Sequence, residues 1–130
     1  MRTLRAAAAL AVVTLGTSLS LACHGETVEA AYAYAIDDRA AQAGRDVIRD
    51  SGCGACHTIP GVPGAAGLVG PPLTAFGRRG YIAGRVSNNR SNLVRWLIDP
   101  RTVDPMTVMP RVGLSDQQAR QAAAYLYTLK

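Results

Sequence analysis

The chain has 130 residues and a formal net charge of +5, from 14 Lys and Arg against 9 Asp and Glu. This length suits one small domain, and one Phe, one Trp and five Tyr allow only a modest core without added apolar bulk. No basic helix and no basic patch interleaved with aromatic residues accompanies the positive charge, which argues against a nucleic-acid partner.

The first 22 residues have the pattern of an export signal. A basic start with Arg2 and Arg5 precedes an apolar run over residues 6–15, and small residues follow up to Ala22. The apolar run is too short for a confident membrane span. We therefore predict a signal peptide over residues 1–22 and a location in the periplasm or on the outer face of a membrane. An uncleaved N-terminal anchor is the alternative.

Cys23 stands where this signal would be cleaved. The segment before it resembles a lipobox, except that Ser20 holds the place where Leu is usual. Lipidation of Cys23 would hold the protein at a membrane surface, whereas an ordinary signal-peptidase site would leave the thiol free. Both alternatives stay open. Residues 23–37 follow as a tether or an early helix before a domain over residues 38–130.

A first helix is predicted over about residues 38–50, with Asp37 as its N-cap. Gly44 lies in the middle of this helix, where Gly costs about 1 kcal/mol relative to Ala. We expect that another helix approaches closely there.

The run Cys53-Gly54-Ala55-Cys56-His57 follows the first helix. This C-x-x-C-H spacing is typical of covalent haem c attachment. Each thiol can add to one vinyl group of the porphyrin, and the His ring can then reach the iron from the same side. The two small residues between the cysteines allow a tight turn under the macrocycle.

Three other uses of two neighbouring cysteines fit less well. A structural zinc site needs four ligands, but no Cys or His follows His57. A thioredoxin-like motif needs a strand–helix–strand context, which the flanks do not offer. A disulfide between Cys53 and Cys56 would leave His57 unexplained. We therefore predict one covalently bound haem c, with His57 as an axial ligand of the iron.

The rest of the chain reads as loops and two further helices. Residues 58–84 are rich in Gly and Pro and are predicted to wrap the haem. A second helix is expected over about residues 91–98, with Ser91 as N-cap, and a third over residues 115–129, opening on a capping box. No strand pattern is evident. The prediction is an all-α domain.

The loop between the second and third helices holds the candidates for the second axial ligand. Met109 is the first choice, because Pro110 limits how the chain can place its sulfur. Met106 is the alternative, and His24 falls in the predicted tether. A thioether ligand stabilises ferrous iron relative to imidazole and so raises the reduction potential.

Over about residues 40–130 the chain resembles the class I c-type cytochromes, small all-α proteins with about three main helices and loops around one covalent haem. The resemblance rests on Gly44, the C-x-x-C-H motif, Gly70-Pro71-Pro72-Leu73, residues 96–100 and residues 105–110. One departure is Met106, which stands where the family often has Gly.

The resemblance implies roles around the haem. The Pro71 carbonyl would accept a hydrogen bond from the His57 ring and fix its orientation. Gly44 would cross the last helix near Tyr125. Arg78 and Thr107 would meet propionate or buried backbone groups, and Trp96 would lie near the Met ligand. The implied haem shell is Pro71, Leu73, Arg78, Trp96, Leu97 and Thr107.

These features predict an exported electron carrier rather than an enzyme, because His57 and Met109 would fill both axial positions. Residues 76–109 are also similar to cytochrome c domains attached to haem-copper oxidases, which implies a respiratory chain. The alternatives are a haem sensor with an open sixth position and an obligate subunit of a larger oxidase or dehydrogenase.

Arginines flank the predicted haem motifs and bear on the choice of redox partner. If several share one face, they would steer acidic partners toward the protein. A solvated surface of mixed charge is the alternative. The arginines are Arg78, Arg79, Arg85, Arg95, Arg101 and Arg111.

Overall fold

The structure is a computed structural model, and it describes residues 38–130. The predicted signal peptide, Cys23, His24, the tether and the proposed N-cap Asp37 lie outside the described residues. Within the described range, no helix has both the length and the apolar character needed to cross a bilayer.

Over residues 38–130, three α-helices carry the fold, as predicted. They are α1 (Asp38–Asp50), α2 (Arg90–Ile98) and α3 (Asp116–Thr128). The most extensive helix–helix packing joins α1 to α3, and α2 packs against α3. The domain is therefore mostly α, with the first and last helices as its frame.

Short elements fill the connections, and one of them contradicts the expectation that no strand would form. An antiparallel hairpin joins β1 (Tyr81–Ile82) to β2 (Val86–Ser87). Its turn includes Ala83 and Gly84 at φ values of 50° and 67°. Each strand is only two residues long, too short for an alternating pattern to show in the sequence. Three 3₁₀ turns complete the domain, at Cys53–Ala55, Phe76–Arg78 and Pro100–Thr102.

The helix starts follow capping chemistry. At α3 the prediction is confirmed: Ser115 Oγ accepts from the Gln118 amide at 3.2 Å, and the Gln118 side chain accepts from the Ser115 amide at 3.0 Å. At α2 the prediction of Ser91 as N-cap is wrong. The cap is Asn89, whose side chain accepts from the Asn92 amide at 2.9 Å, and Ser91 donates its hydroxyl to that same side chain.

Gly44 marks the point where α1 and α3 approach closely. A Cβ built on Gly44 would lie 1.9 Å from the backbone oxygen of Gln121 and 3.1 Å from the Ala122 amide nitrogen. The predicted close approach is confirmed. The crossing point is Gln121–Ala122, one helical turn before Tyr125. Tyr125 itself lies further along α3 and donates its hydroxyl to the Pro60 carbonyl at 2.6 Å.

The core combines small residues on α3 with large ones on α2. Ala119 and Ala123 are fully buried on α3, which lets the neighbouring helices come close. Leu93, Trp96 and Leu97 supply apolar bulk from α2. These larger side chains also line the cavity described next, so the core and the candidate site are continuous.

Candidate cofactor site

A cavity of about 320 Å³ lies among the C-x-x-C-H turn, the Gly/Pro-rich loop, α2 and the methionine loop. Its volume falls within the range usual for small-molecule and cofactor sites. The structure brings the predicted site residues together there, with the single exception of Arg78. The lining includes Cys53, Cys56, His57, Pro71, Leu73, Trp96, Leu97, Thr107 and Met109.

The cysteine turn is held from both of its sides. It begins at Gly52, whose φ of 72° suits glycine, and the His57 amide closes it by donating to the Cys53 carbonyl at 3.0 Å. The following loop packs onto the turn, since the Gly70 amide donates to the Cys56 carbonyl at 2.8 Å. Both thiols are free, and burial raises the pKa of the Cys53 thiol. Both cysteines line the cavity and are not joined in a disulfide.

The His57 ring has a defined tautomer. Its Nδ1 atom lies 2.7 Å from the Pro71 carbonyl oxygen. A carbonyl oxygen only accepts hydrogen bonds, so Nδ1 carries a proton, and in the neutral ring Nε2 keeps its lone pair. A neutral imidazole with a free Nε2 is the form that binds a metal, and its partner on the other nitrogen fixes the ring orientation.

The two candidate methionines differ in position. Met109 is half-buried, packs against the core and lines the cavity. Met106 is 85% exposed and is absent from the lining. The Met109 amide donates to Thr107 Oγ1 at 3.2 Å, which ties the predicted ligand to another cavity residue. The geometry favours Met109 over Met106.

Arg78 does not line the cavity, whereas the neighbouring Arg79 does. Arg78 ends a 3₁₀ turn and is exposed, whereas Arg79 is extended and lines the cavity. The Arg79 guanidinium lies 5.4 Å from the centre of the Phe76 ring and donates to the carbonyls of Pro72 and Thr74. The backbone becomes extended at Arg79, directly after the 3₁₀ turn, and so the side chain of Arg79 rather than that of Arg78 lines the cavity.

Three of the six flanking arginines lie in different surroundings rather than on one common face. Arg79 faces the cavity, and Arg85 pairs with Asp104 at 3.3 Å. Arg95 lines a separate open groove together with Asp99, Asp116 and Arg120. The mixed-charge alternative therefore describes these three positions better than a single basic patch.

Apolar side chains at the border of the cavity were missed from the sequence. Val69 and Val108 line the cavity and yet are 79% and 92% exposed, and Leu68, next to Val69, is 89% exposed. Exposed apolar groups of this kind often mark an interaction surface. The sequence offered one indication of them, which is the pair of consecutive apolar residues directly before Gly70 in the Gly/Pro-rich loop.

The donor set fits a haem. Two thiols and an imidazole nitrogen lie at one part of an apolar cavity, and a thioether sulfur lines another part. Within residues 38–130, no three His, Cys, Asp or Glu side chains gather as a site for a bare metal ion. The side chains of Cys53, Cys56 and His57 fit a haem, which would bring its own iron.

Comparisons with known proteins give one family model and three relatives to which this chain is similar. The family model for cytochrome c matches residues 41–130. Three relatives are each described as cytochrome c oxidase subunit 2. That of Alkalihalophilus pseudofirmus is 38% identical over 91 residues, that of Bacillus subtilis 30% over 103 and that of Bacillus sp. strain PS3 32% over 99.

The alignments cover most of this chain but little of the relatives. They include 69%, 76% and 73% of the chain, against 26%, 29% and 28% of the three relatives in the same order. No solved structure gives a significant match.

Proposed function

Because the chain belongs to the cytochrome c family, whose members bind haem and transfer electrons, we propose that it is an exported carrier of single electrons with one covalent haem c. The observation that carries the proposal is that His57 and Met109 line the same cavity as the two thiols. When bound, the haem supplies the one-electron couple of its iron. The protein holds and tunes it and performs no bond chemistry on a substrate.

Each proposed role follows from a side chain's position. Cys53 and Cys56 hold the haem through thioethers, and His57 presents Nε2 while Pro71 holds Nδ1. Met109 supplies the second axial ligand. The buried walls, including Leu97 and Trp96, exclude water and so favour the less charged ferrous state. If His57 and Met109 both bound the iron, a substrate or a gas would have to displace one of them to bind there.

We also propose that the carrier serves a haem-copper oxidase on the outer face of a membrane. The support is that the relatives are named as subunits of cytochrome c oxidase and that the first 22 residues have the pattern of an export signal. Lipidation of Cys23 would keep the domain near such an enzyme. Because the relatives are more than twice as long as this chain, a role as a subunit within a larger complex is the second candidate.

The surface around the cavity suggests the chemistry of the partner. Val69 and Val108 give it an exposed apolar part, while Arg78, Arg101 and Arg111 are exposed elsewhere in the domain. We propose a partner whose apolar surface meets Val69 and Val108 and whose acidic groups meet the exposed arginines. An association rate that does not change with ionic strength would rule out the acidic part.

The test is an optical spectrum of the protein matured in an exporting host, oxidised and reduced. We expect narrow low-spin bands and, in the oxidised form, the weak long-wavelength band of sulfur bound to iron. Met109→Ala should lose that band, and Met106→Ala, altered at an exposed side chain, should keep it. A high-spin spectrum that shifts with carbon monoxide would overturn the proposal in favour of the haem sensor.

A further inference from the structure

We infer that Asp104, held by Arg85, is a positioning residue for Met109: it fixes the loop that presents the sulfur and so sets how readily the ligand is displaced. The inference rests on the proposed role of Met109 as an axial ligand. It starts from a contact between the β-hairpin and the methionine loop, two segments that the sequence does not link.

The hairpin is part of the cavity wall. Ile82 and Ala83 line the cavity, and the Arg85 amide donates to the Ile82 carbonyl at 2.9 Å to close the turn. Arg85 leaves this turn and places its Nε atom 3.3 Å from Asp104 Oδ2. The ion pair therefore connects one wall of the cavity to the loop that carries Met109.

Asp104 differs from the other acidic partners in the described ion pairs. Its side chain is only 16% exposed, whereas those of Asp46, Asp50 and Asp116 are at least 50% exposed. Water and salt screen a charge less when it is partly buried. Of these pairs, the one with Arg85 is the one most able to hold a loop in place.

Asp104 also organises the turn that follows it. Its Oδ1 accepts from the Met106 amide at 3.2 Å, and its carbonyl accepts from the Thr107 amide at 3.1 Å. Asp side chains stabilise turns in this way. Thr107 then accepts from the Met109 amide at 3.2 Å, which completes a continuous path from Arg85 to the proposed ligand.

This turn accounts for the unusual Met106. The side chain of Met106 is 85% exposed, so it occupies solvent and does not disturb the loop. The Asp104 carboxylate holds the Met106 amide, so the turn does not depend on a flexible glycine at that position. The charge of Asp104 and its hydrogen bond with the Met106 amide contribute separately to holding the loop. Two substitutions distinguish these contributions.

The experiment titrates the ferric holoprotein with imidazole and follows the sulfur-to-iron band. An added ligand binds only when Met109 has left the iron, so its apparent affinity reports the population of the displaced state. Asp104→Asn keeps a group that can accept from the Met106 amide and loses the charge. We expect imidazole to bind about two- to fivefold more tightly, the range that corresponds to an ion pair with one exposed partner.

Asp104→Ala loses both the charge and the hydrogen bond, and imidazole should bind to it at least about tenfold more tightly than to wild type. Arg85→Gln should match Asp104→Asn, and Arg85→Lys should restore most of the wild-type affinity because it restores the charge. Asp46→Asn is the matched control, since it removes an acidic group from an exposed ion pair on α1.

The outcomes separate this inference from the proposed function. A wild-type protein without the sulfur-to-iron band overturns both. A normal band, with imidazole affinities of Asp104→Asn and Arg85→Gln equal to wild type, overturns the inference alone. An equal shift in Asp46→Asn also overturns it, because the effect is then one of net charge. If Asp104→Ala does not fold, the two charge variants still decide the question.

Discussion

The carbonyl oxygen of Pro71 lies 2.7 Å from Nδ1 of His57 and fixes which ring nitrogen carries the proton. The residue before it, Gly70, leaves room for the ring because it has no side chain. A Cβ on Gly70 would lie 2.3 Å from Cε1 and 2.9 Å from Nε2 of His57. Gly70 and Pro71 together therefore determine the tautomer of the imidazole and the space in which it can rotate.

Gly70→Ala should disturb this arrangement directly. The added methyl group cannot coexist with the present ring position, so either the ring or the loop must move, at a cost of about 1–3 kcal/mol in the free energy of unfolding. We expect an altered low-spin spectrum of the ferric protein, measured by electron paramagnetic resonance, together with lower stability in denaturant. Gly80→Ala is the control, because nothing lies within 4 Å of a Cβ there. An unchanged Gly70→Ala spectrum would show that Gly70 does not position the ring.

Gly44→Ala tests the crossing of α1 and α3. Alanine should favour an isolated helix by about 1 kcal/mol. Here its methyl group would meet the Gln121 carbonyl at 1.9 Å, and a backbone atom cannot move aside as a flexible side chain can. We expect a net loss of about 3 kcal/mol in the free energy of unfolding by denaturant titration. The exposed helical position Gln42 serves as control, since Gln42→Ala should be neutral within about 0.5 kcal/mol. A stabilised Gly44→Ala protein would mean that the helices do not meet there.

The features that the sequence could predict are those set by local chemistry. The three helices follow from apolar spacing, the capping box at Ser115 and the break before Pro100. The gathering of Cys53, Cys56 and His57 follows because five consecutive residues leave little freedom. Met109 was predicted from its loop and the proline after it, Pro71 was implied by the family resemblance, and both line the cavity.

The features that the sequence could not predict depend on tertiary contacts between short segments. The hairpin is held from outside by Asn88, whose Nδ2 donates to the carbonyls of Phe76 and Arg79 at 3.0 Å each. Arg79 rather than Arg78 lines the cavity because a short 3₁₀ turn ends at Arg78. The ion pair of Arg85 with Asp104 joins residues that share no local motif. Contacts of this kind leave no periodic signal.

The stability of the domain should fall at alkaline pH through Tyr127. Its hydroxyl donates to Asn88 Oδ1 at 2.8 Å, and burial raises the pKa of this phenol. Tyrosine in the unfolded chain ionises near pH 10 and the folded one at higher pH. The contribution of Tyr127 is therefore complete below about pH 10 and is lost as the pH rises through the folded pKa.

The measurement is the free energy of unfolding as a function of pH from 8 upward. Tyr127→Phe should have a shallower alkaline decline than wild type, because the phenol no longer titrates. Tyr81→Phe, at a side chain that is 65% exposed, is the control. Parallel curves for Tyr127→Phe and wild type would show that another group causes the decline.

Ala83→Gly should stabilise the protein, which is unusual for a change to glycine. Ala83 has a φ of 50° in the hairpin turn, a left-handed conformation that costs an L-residue about 1–2 kcal/mol. Glycine adopts this conformation without that cost, although it also makes the unfolded chain more flexible, which offsets part of the gain. We expect a net increase of about 0.5–1 kcal/mol in the free energy of unfolding. Ala43→Gly, in the middle of α1, is the matched control and should lose about 1 kcal/mol. Equal losses in both variants would show that the turn at Ala83 carries no backbone strain, since helix and turn would then respond alike.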